Sequence, residues 1–176
     1  MKKFYFFFFL FYSINATEIK ETELNIHSGK ITFVSEAKEE TLKGIGKQIS
    51  GTISMKDKTF SVVIDITDWK TNNRLQTIHM HDNYLESEKF PQALYKGTFV
   101  YNPSTGEADL TGVMKIHGVE KSNFITKGKM VLKSGEYNYS TDFVIRLKDF
   151  QIDVPKLLIL KLSEEIKVNI QASLKP

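Results

Sequence analysis

Residues 165–174 read EIKVNIQASL, a stretch in which polar and apolar side chains alternate without a break. Alternation with a period of two residues places the apolar side chains on one face of a β-strand. Residues 60–66 read FSVVIDI and follow the same pattern. Strands with one apolar and one polar face are typical of antiparallel sheets, because parallel sheets are covered on both faces.

Further strands of this kind follow along the chain. The turn sequences between them lie at residues 56–58, 102–106, 117–120 and 134–136. The spacing indicates about eight strands, which suits a barrel or a sandwich. Closing such a sheet on itself buries the apolar face and removes exposed edges. The sequence therefore predicts a mainly β protein: an eight-stranded antiparallel barrel with one helix inserted in mid-chain.

Residues 73–88 break the period of two and predict that helix, after about four strands. Asn72 or Asn73 is placed to cap its start, and Pro91 follows its end. The apolar residues of the segment are spaced as expected for a helix: Leu75, Ile78, Met80, Tyr84 and Leu85.

The chain begins with Met1-Lys2-Lys3, continues with an apolar run over residues 4–12, and reaches a small residue at Ala16. This layout predicts a signal peptide over residues 1–16 and a domain over residues 17–176, periplasmic or secreted after cleavage. The alternative is an uncleaved anchor, although the run is shorter than the ~20 residues that cross a bilayer as a helix.

The chain has no cysteine, which excludes disulfides, thiol chemistry and zinc–thiolate sites. Its net charge is +3, and two of these charges are Lys2 and Lys3 in the leader. No long basic run follows, so we expect no nucleic-acid partner.

Few residues favour catalysis or metal binding. On a helix, Asp82 shares a face with His79 and with Glu86, while His79 and His81 diverge. His117 precedes Gly118 at a strand end, and we interpret it as a polar rim residue beside a turn glycine. Because motifs of nucleophilic, metallopeptidase and phosphate-binding sites are absent, we predict no catalysis, no metal and no cofactor.

The inward apolar faces of the strands form the candidate ligand-binding site. Either they fill the barrel as a core or they line a cavity, and glycine at positions 51, 97 and 112 leaves space or permits bending. The predicted ligand-binding residues are Ile49, Ile53, Phe60, Val62, Ile64, Tyr95, Phe99, Leu110, Met114, Phe143, Ile145 and Val168.

Three stretches resemble the YceI-like family. Residues 79–97, HMHDNYLESEKFPQALYKG, resemble its helix-and-strand signature, and residues 110–121, LTGVMKIHGVEK, its second signature. Residues 143–155 resemble its late strand, and the resemblance covers about residues 24–174. The Arg-Asp-x-His-Leu start of the family's helix is absent, so head-group contacts through that arginine and histidine are not carried over.

The resemblance implies an extended, lipocalin-like antiparallel barrel, export, and a hydrophobic cavity for a long isoprenoid or similar amphiphilic lipid. It also implies that a homodimer is an option. We therefore predict an exported lipid-binding protein without catalysis. The alternative is a filled barrel that acts as an interaction or structural protein through its outer surface.

Two further features stand apart. Trp69, at a strand end, is interpreted as a plug of one barrel end, whose indole N–H needs a partner if buried. Residues 155–162, PKLLILKL, are more apolar than one strand face requires. They are either a strand buried on both faces or a contact patch for a dimer partner or for transient contact with a membrane.

Overall fold

The computed structural model describes residues 23–36, 41–153 and 163–176. The leader over residues 1–16 and the patch over residues 155–162 therefore lie outside the described residues. The described elements are, in order, β1 (Glu23–Glu36), β2 (Thr41–Gly46), β3 (Ile49–Ser54), β4 (Thr59–Asp65), β5 (Lys70–Thr71), α1 (Arg74–His79), a π-helix (Met80–Tyr84), β6 (Gln92–Tyr101), β7 (Glu107–Ile116), β8 (Val119–Lys133), β9 (Glu136–Arg146), a 3-10 helix (Leu147–Phe150) and β10 (Glu165–Lys175).

Eight strands form a closed antiparallel barrel in the order β10-β9-β8-β7-β6-β4-β3-β1. The pairing of β1 with β10 closes it, in a register that runs from Asn25↔Lys175 to Ser35↔Ile166. The first three residues of β1 pair with β3, whereas its last six pair with β2, which carries the short strand β5 at its outer edge. The predicted fold, an eight-stranded antiparallel barrel with one inserted helix, is confirmed.

The helical segment is shorter than the predicted 73–88. Asn73 caps α1, since its Oδ1 accepts hydrogen bonds from the main-chain N–H groups of Leu75 and Gln76 at 2.8 and 3.3 Å. The π-helix ends at Tyr84, and Glu86 has a φ of 43°, outside the helical region. The sequence prediction was wrong about the end because apolar spacing continues through Leu85 while the backbone already turns. No helix among the described residues is long and apolar enough to cross a membrane.

Gly97 and Gly112 face each other across β6 and β7. A Cβ atom on Gly97 would lie 2.5 Å from the Cα of Gly112, and closer still to the carbonyl oxygen of Thr111. These glycines therefore permit two backbones to approach closely, rather than opening space for a ligand as one interpretation of the sequence suggested.

We expect Gly97→Ala to lower the free energy of unfolding by about 3 kcal/mol or more, because the atoms in the way are backbone atoms of the next strand. Val100→Thr is the control. Val100 lies on the same strand and is 76% exposed, so this change should stay within about 0.5 kcal/mol. Urea unfolding followed by the fluorescence of Trp69 measures both, and a loss below about 1 kcal/mol for Gly97→Ala would contradict the packing described.

A row of aromatic rings crosses the barrel interior from β4 to β9. Phe60 meets Tyr95 edge-on at 4.7 Å between ring centroids, Tyr95 meets Phe124 at 5.8 Å, and Phe124 meets Phe143 at 5.8 Å. The Tyr95 hydroxyl lies within donating distance of two main-chain carbonyl oxygens, Leu110 O at 3.0 Å and Phe124 O at 2.9 Å. Tyr95 therefore ties β6 to the β7–β8 wall from inside.

Burial raises the pKa of Tyr95 to about 12, so its hydroxyl stays protonated and donates. Tyr95→Phe should lower the free energy of unfolding at neutral pH by about 1 kcal/mol, the usual net value of one hydrogen bond. Because the folded pKa lies above the ordinary value of 10.0, this stabilisation is fully present below pH ~10 and is lost towards pH ~12.

The measurement is urea unfolding of both proteins from about pH 9 to about pH 12. The stability advantage of wild type over Tyr95→Phe should fall as pH rises and change sign before pH ~12, because a rise in pKa from 10.0 to about 12 is worth about 3 kcal/mol, more than the hydrogen bond. The two proteins share every other titrating group. An advantage that stays constant or grows over this interval would show that the hydroxyl does not act as a buried donor.

Candidate ligand-binding chambers

The barrel interior holds two apolar chambers stacked end to end along the strands. On each of five strands, an inward side chain of the first chamber is followed two positions away by one of the second, the step that a period of two dictates. The five steps are Ile64 on β4 to Ile66 directly after it, Tyr95 to Ala93 on β6, Met114 to Ile116 on β7, Phe143 to Ile145 on β9 and Ile170 to Val168 on β10.

Chamber 1 has an empty volume of about 740 Å³ between its walls, its open mouth included. The room left for the centre of a water molecule is only about 70 Å³, so the chamber is a narrow slot. Among its described lining residues none is charged, and the polar side chains are those of Thr126, Thr141, Tyr95 and Tyr139.

Chamber 2 has an empty volume of about 900 Å³ with its mouth, and about 100 Å³ for the centre of a water molecule. One wall is the helical segment, through Gln76, His79, Met80, Tyr84 and Leu85. The opposite wall is sheet, with Ile145, Ile166 and Val168 among its side chains.

All twelve predicted ligand-binding residues line these chambers. Ile145 and Val168 lie in chamber 2, and the other ten lie in chamber 1: Ile49, Ile53, Phe60, Val62, Ile64, Tyr95, Phe99, Leu110, Met114 and Phe143. Their contact with a ligand stays a prediction. On the β8–β9 wall of chamber 1, sequence reasoning found Phe143 of β9 but missed Thr126, Met130, Tyr139 and Thr141. The alternation of β8 is hidden because Thr126 and Gly128 point inward and Ile125 outward.

The hydroxyls of this β8–β9 wall differ in how they are bonded. Thr141 Oγ1 donates to Lys127 O at 2.8 Å. Thr126 is 3% exposed, and its Oγ1, like the hydroxyl of Tyr139, is buried without a hydrogen-bond partner of good geometry among the described residues. Burial raises the pKa of Tyr139, so its hydroxyl stays protonated.

Trp69 lies against the end of the barrel that contains chamber 2. Its ring stacks on Phe33 at 4.8 Å between centroids, and both residues line the chamber. The ring covers Gly46, where a Cβ would collide with it. The indole N–H, which we expected to have a partner, has none in the described part of the chain.

Two polar contacts hold the helical segment on the barrel. His81 bonds Trp69 O through Nε2 at 2.8 Å, which requires a proton on that nitrogen, and its Nδ1 lies 2.9 Å from Ser87 Oγ. On the other side, His117 Nε2 lies 2.7 Å from Glu86 Oε2, and the His117 ring meets Phe90 at 4.6 Å. Nothing in the local sequence pattern signals the second contact, because its two residues are 31 positions apart.

The two-residue turn after β7 explains where His117 points. His117 and Gly118 have φ of 52° and 76°, and Ile116 pairs with Val119, as in a type I′ hairpin. Gly118 also lies against Phe90, where a side chain would collide. The interpretation of Gly118 as a turn residue agrees with this geometry, and His117 proves to be an anchor of the helical segment.

The candidate metal ligands do not converge. His79 Nδ1 lies 2.8 Å from the Asn83 side-chain amide, while His81 and Glu86 have the partners given above. Across residues 23–36, 41–153 and 163–176, no group of three histidine, aspartate or glutamate side chains could hold a metal ion.

Comparison with known proteins agrees with this geometry. The chain is 26% identical over 124 residues to a UPF0312 protein of Vibrio parahaemolyticus, an alignment that covers 64% of this chain and 66%, just under two thirds, of that protein. Its fold is similar to that of BcnA from Burkholderia cenocepacia, with a TM-score of 0.70 and 10% identity, over 82% of this chain and 95% of the other.

A polyisoprenoid binding domain from Saccharophagus degradans has the same fold, with a TM-score of 0.68 and 14% identity, over 86% of this chain and 97% of that one. The family model of the YceI-like domain matches residues 22–174, which include both chambers and all but the last residue of the described strands. The chain therefore belongs to the YceI-like family.

Proposed function

We propose that this protein is an exported carrier that holds an isoprenoid or similar long-chain amphiphilic lipid in the barrel, without catalysis. The observation that carries the proposal is the pair of stacked chambers, whose described walls are mainly apolar and hold no Lys, Arg, Asp or Glu. A narrow, uncharged slot suits a slim apolar chain better than a compact polar ligand. Membership of the YceI-like family and the shared fold of the Saccharophagus polyisoprenoid binding domain support the same ligand class.

The length of the interior also suits a long chain. β6 and β7 each have ten residues, and a ten-residue strand rises about 33 Å before its tilt is considered. Each CH₂ group removed from water contributes about 0.8 kcal/mol, so ten such groups supply about 8 kcal/mol before ordering costs. Binding therefore needs no strong polar anchor, and we expect weak discrimination among chains of similar length.

Export, homodimer formation and transient membrane contact are parts of the proposal that rest on the sequence. If the leader is cleaved, amino-terminal sequencing of protein from the native host should begin at Thr17.

The direct test is mass spectrometry of an organic extract of protein purified without detergent from its native host. We expect a prenyl or other long-chain lipid at a stoichiometry near one per chain. An empty extract would contradict the carrier and favour the filled-barrel interaction protein.

Side chains that narrow a chamber should shorten the lipid it holds. Ala108 lies in chamber 1 and Ala93 in chamber 2, both buried. In Ala108→Leu and in Ala93→Leu the added carbon atoms occupy ligand space, so the extracted chains should be shorter or fewer. Overpacking costs about 1–3 kcal/mol, and thermal unfolding will verify that each variant is folded.

Val100→Leu is the matched control, because it adds side-chain volume on the outer surface of β6. It should carry the wild-type lipids in the wild-type amount. If both chamber variants also carry them unchanged, the lipid does not lie in the chambers.

A further inference from the structure

Two hydroxyl groups in chamber 1 have no partner that explains their burial. Thr126 Oγ1 and the Tyr139 hydroxyl lie on neighbouring strands, where the residue opposite Tyr139 is Met130 and Gly128 lies opposite Thr141. Gly128 provides the room, since a Cβ there would lie 2.7 Å from the Tyr139 hydroxyl oxygen. Most buried polar side-chain atoms in proteins are hydrogen-bonded, and an unpaired one is destabilising.

The neighbouring polar groups do not fully satisfy these two. Thr126 Oγ1 lies near the Tyr139 and Tyr95 hydroxyls, and the Tyr139 hydroxyl lies near that of Thr141, but none of these contacts is a well-formed hydrogen bond. The Thr141 hydroxyl donates to Lys127 O, and the Tyr95 hydroxyl donates towards Leu110 O and Phe124 O. Thr126 and Tyr139 therefore have two O–H donors without well-formed hydrogen bonds in an otherwise apolar slot. An oxygen atom delivered by a ligand could accept from one or both.

The surroundings restrict what kind of oxygen this is. The described lining of chamber 1 contains no Lys, Arg or His to balance a negative charge, and a buried unpaired anion is strongly unfavourable. A carboxylate or phosphate head group is therefore disfavoured there, whereas a neutral hydroxyl, phenol or carbonyl oxygen fits. The protonated Tyr139 hydroxyl matches such an acceptor.

We propose that Thr126 and Tyr139 form a polar subsite in chamber 1 that binds the neutral oxygen of an amphiphile, an alcohol, phenol or ketone, with the apolar chain running along the barrel. This inference rests on the proposed carrier function and adds the class and position of the head group. It places the head group inside the barrel, on the β8–β9 wall, and away from the helical segment.

The test uses delipidated full-length protein offered an equimolar mixture of phytanol, phytane and phytanic acid, which share one branched chain and differ at its end. Bound chains are extracted and quantified by mass spectrometry. Thr126→Val and Tyr139→Phe remove one hydroxyl each at nearly constant shape. Ser140→Ala is the binding control, because it removes a hydroxyl from the exposed face of β9, and Thr141→Val is the comparison for stability.

We expect the bound ratio of phytanol to phytane to fall about fivefold in Thr126→Val and in Tyr139→Phe relative to wild type, the effect of one hydrogen bond. The ratio should be unchanged in Ser140→Ala, whose side chain is exposed, and phytanic acid should be the least bound relative to its supply. Without ligand, the melting temperatures of Thr126→Val and Tyr139→Phe should equal or exceed that of wild type, whereas Thr141→Val should melt lower because Lys127 O loses its donor.

Each contrary result has a distinct meaning. If wild type takes up these chains but the ratio is the same in all variants, the subsite is overturned and the carrier function stands. If ligand-free Thr126→Val and Tyr139→Phe melt as far below wild type as Thr141→Val does, the two hydroxyls serve the fold and the subsite is overturned. If wild type takes up none of the three chains, both the carrier function and the subsite fail.

Discussion

The pairing of β1 with β10 is the constraint that makes this sheet a barrel. It joins the first and last strands of the described chain, and without it the barrel would be an open sheet with two exposed edges and an uncovered apolar face. Closure turns every inward side chain toward a common axis. An eight-stranded barrel leaves an interior just wide enough to be filled by side chains or to hold one small ligand.

Side-chain size then decides between these two outcomes along the axis. The row formed by Phe60, Tyr95, Phe124 and Phe143 fills part of the interior and links four strands through ring contacts. Smaller residues such as Ala93 and Ala108 line the space that remains. The barrel is therefore neither a fully packed core nor a wide channel. The barrel encloses two narrow slots, and its strands are held together from inside by ring contacts and by the Tyr95 hydroxyl.

Much of this could be predicted from the sequence because period-two alternation is a local property. It is clear on β4 and β10, and all twelve inward residues chosen on that basis line a chamber. It failed on β8, where Thr126 points inward and Ile125 outward, because the inward face of that strand is partly polar. The end of the helical segment was also misplaced, since Glu86 turns the chain at a positive φ that apolar spacing does not report.

Polar contacts between residues far apart in the chain could not be predicted from the sequence, for another reason. The contact between Glu86 and His117 depends on the hairpin geometry at Gly118 and on where the helical segment crosses the barrel. The two unpaired hydroxyls of chamber 1 are likewise visible only when every neighbour is in place. These features deviate from what folding alone requires, and such deviations are expected at functional sites.

A carrier of this kind should hold one apolar chain across both slots. A crystal structure of the protein purified without detergent from its native host would show this chain in place. We predict continuous tubular density along chambers 1 and 2, bounded by the predicted lining residues. Chambers that are closed by rearranged side chains, or that contain only isolated water peaks, would contradict the carrier function.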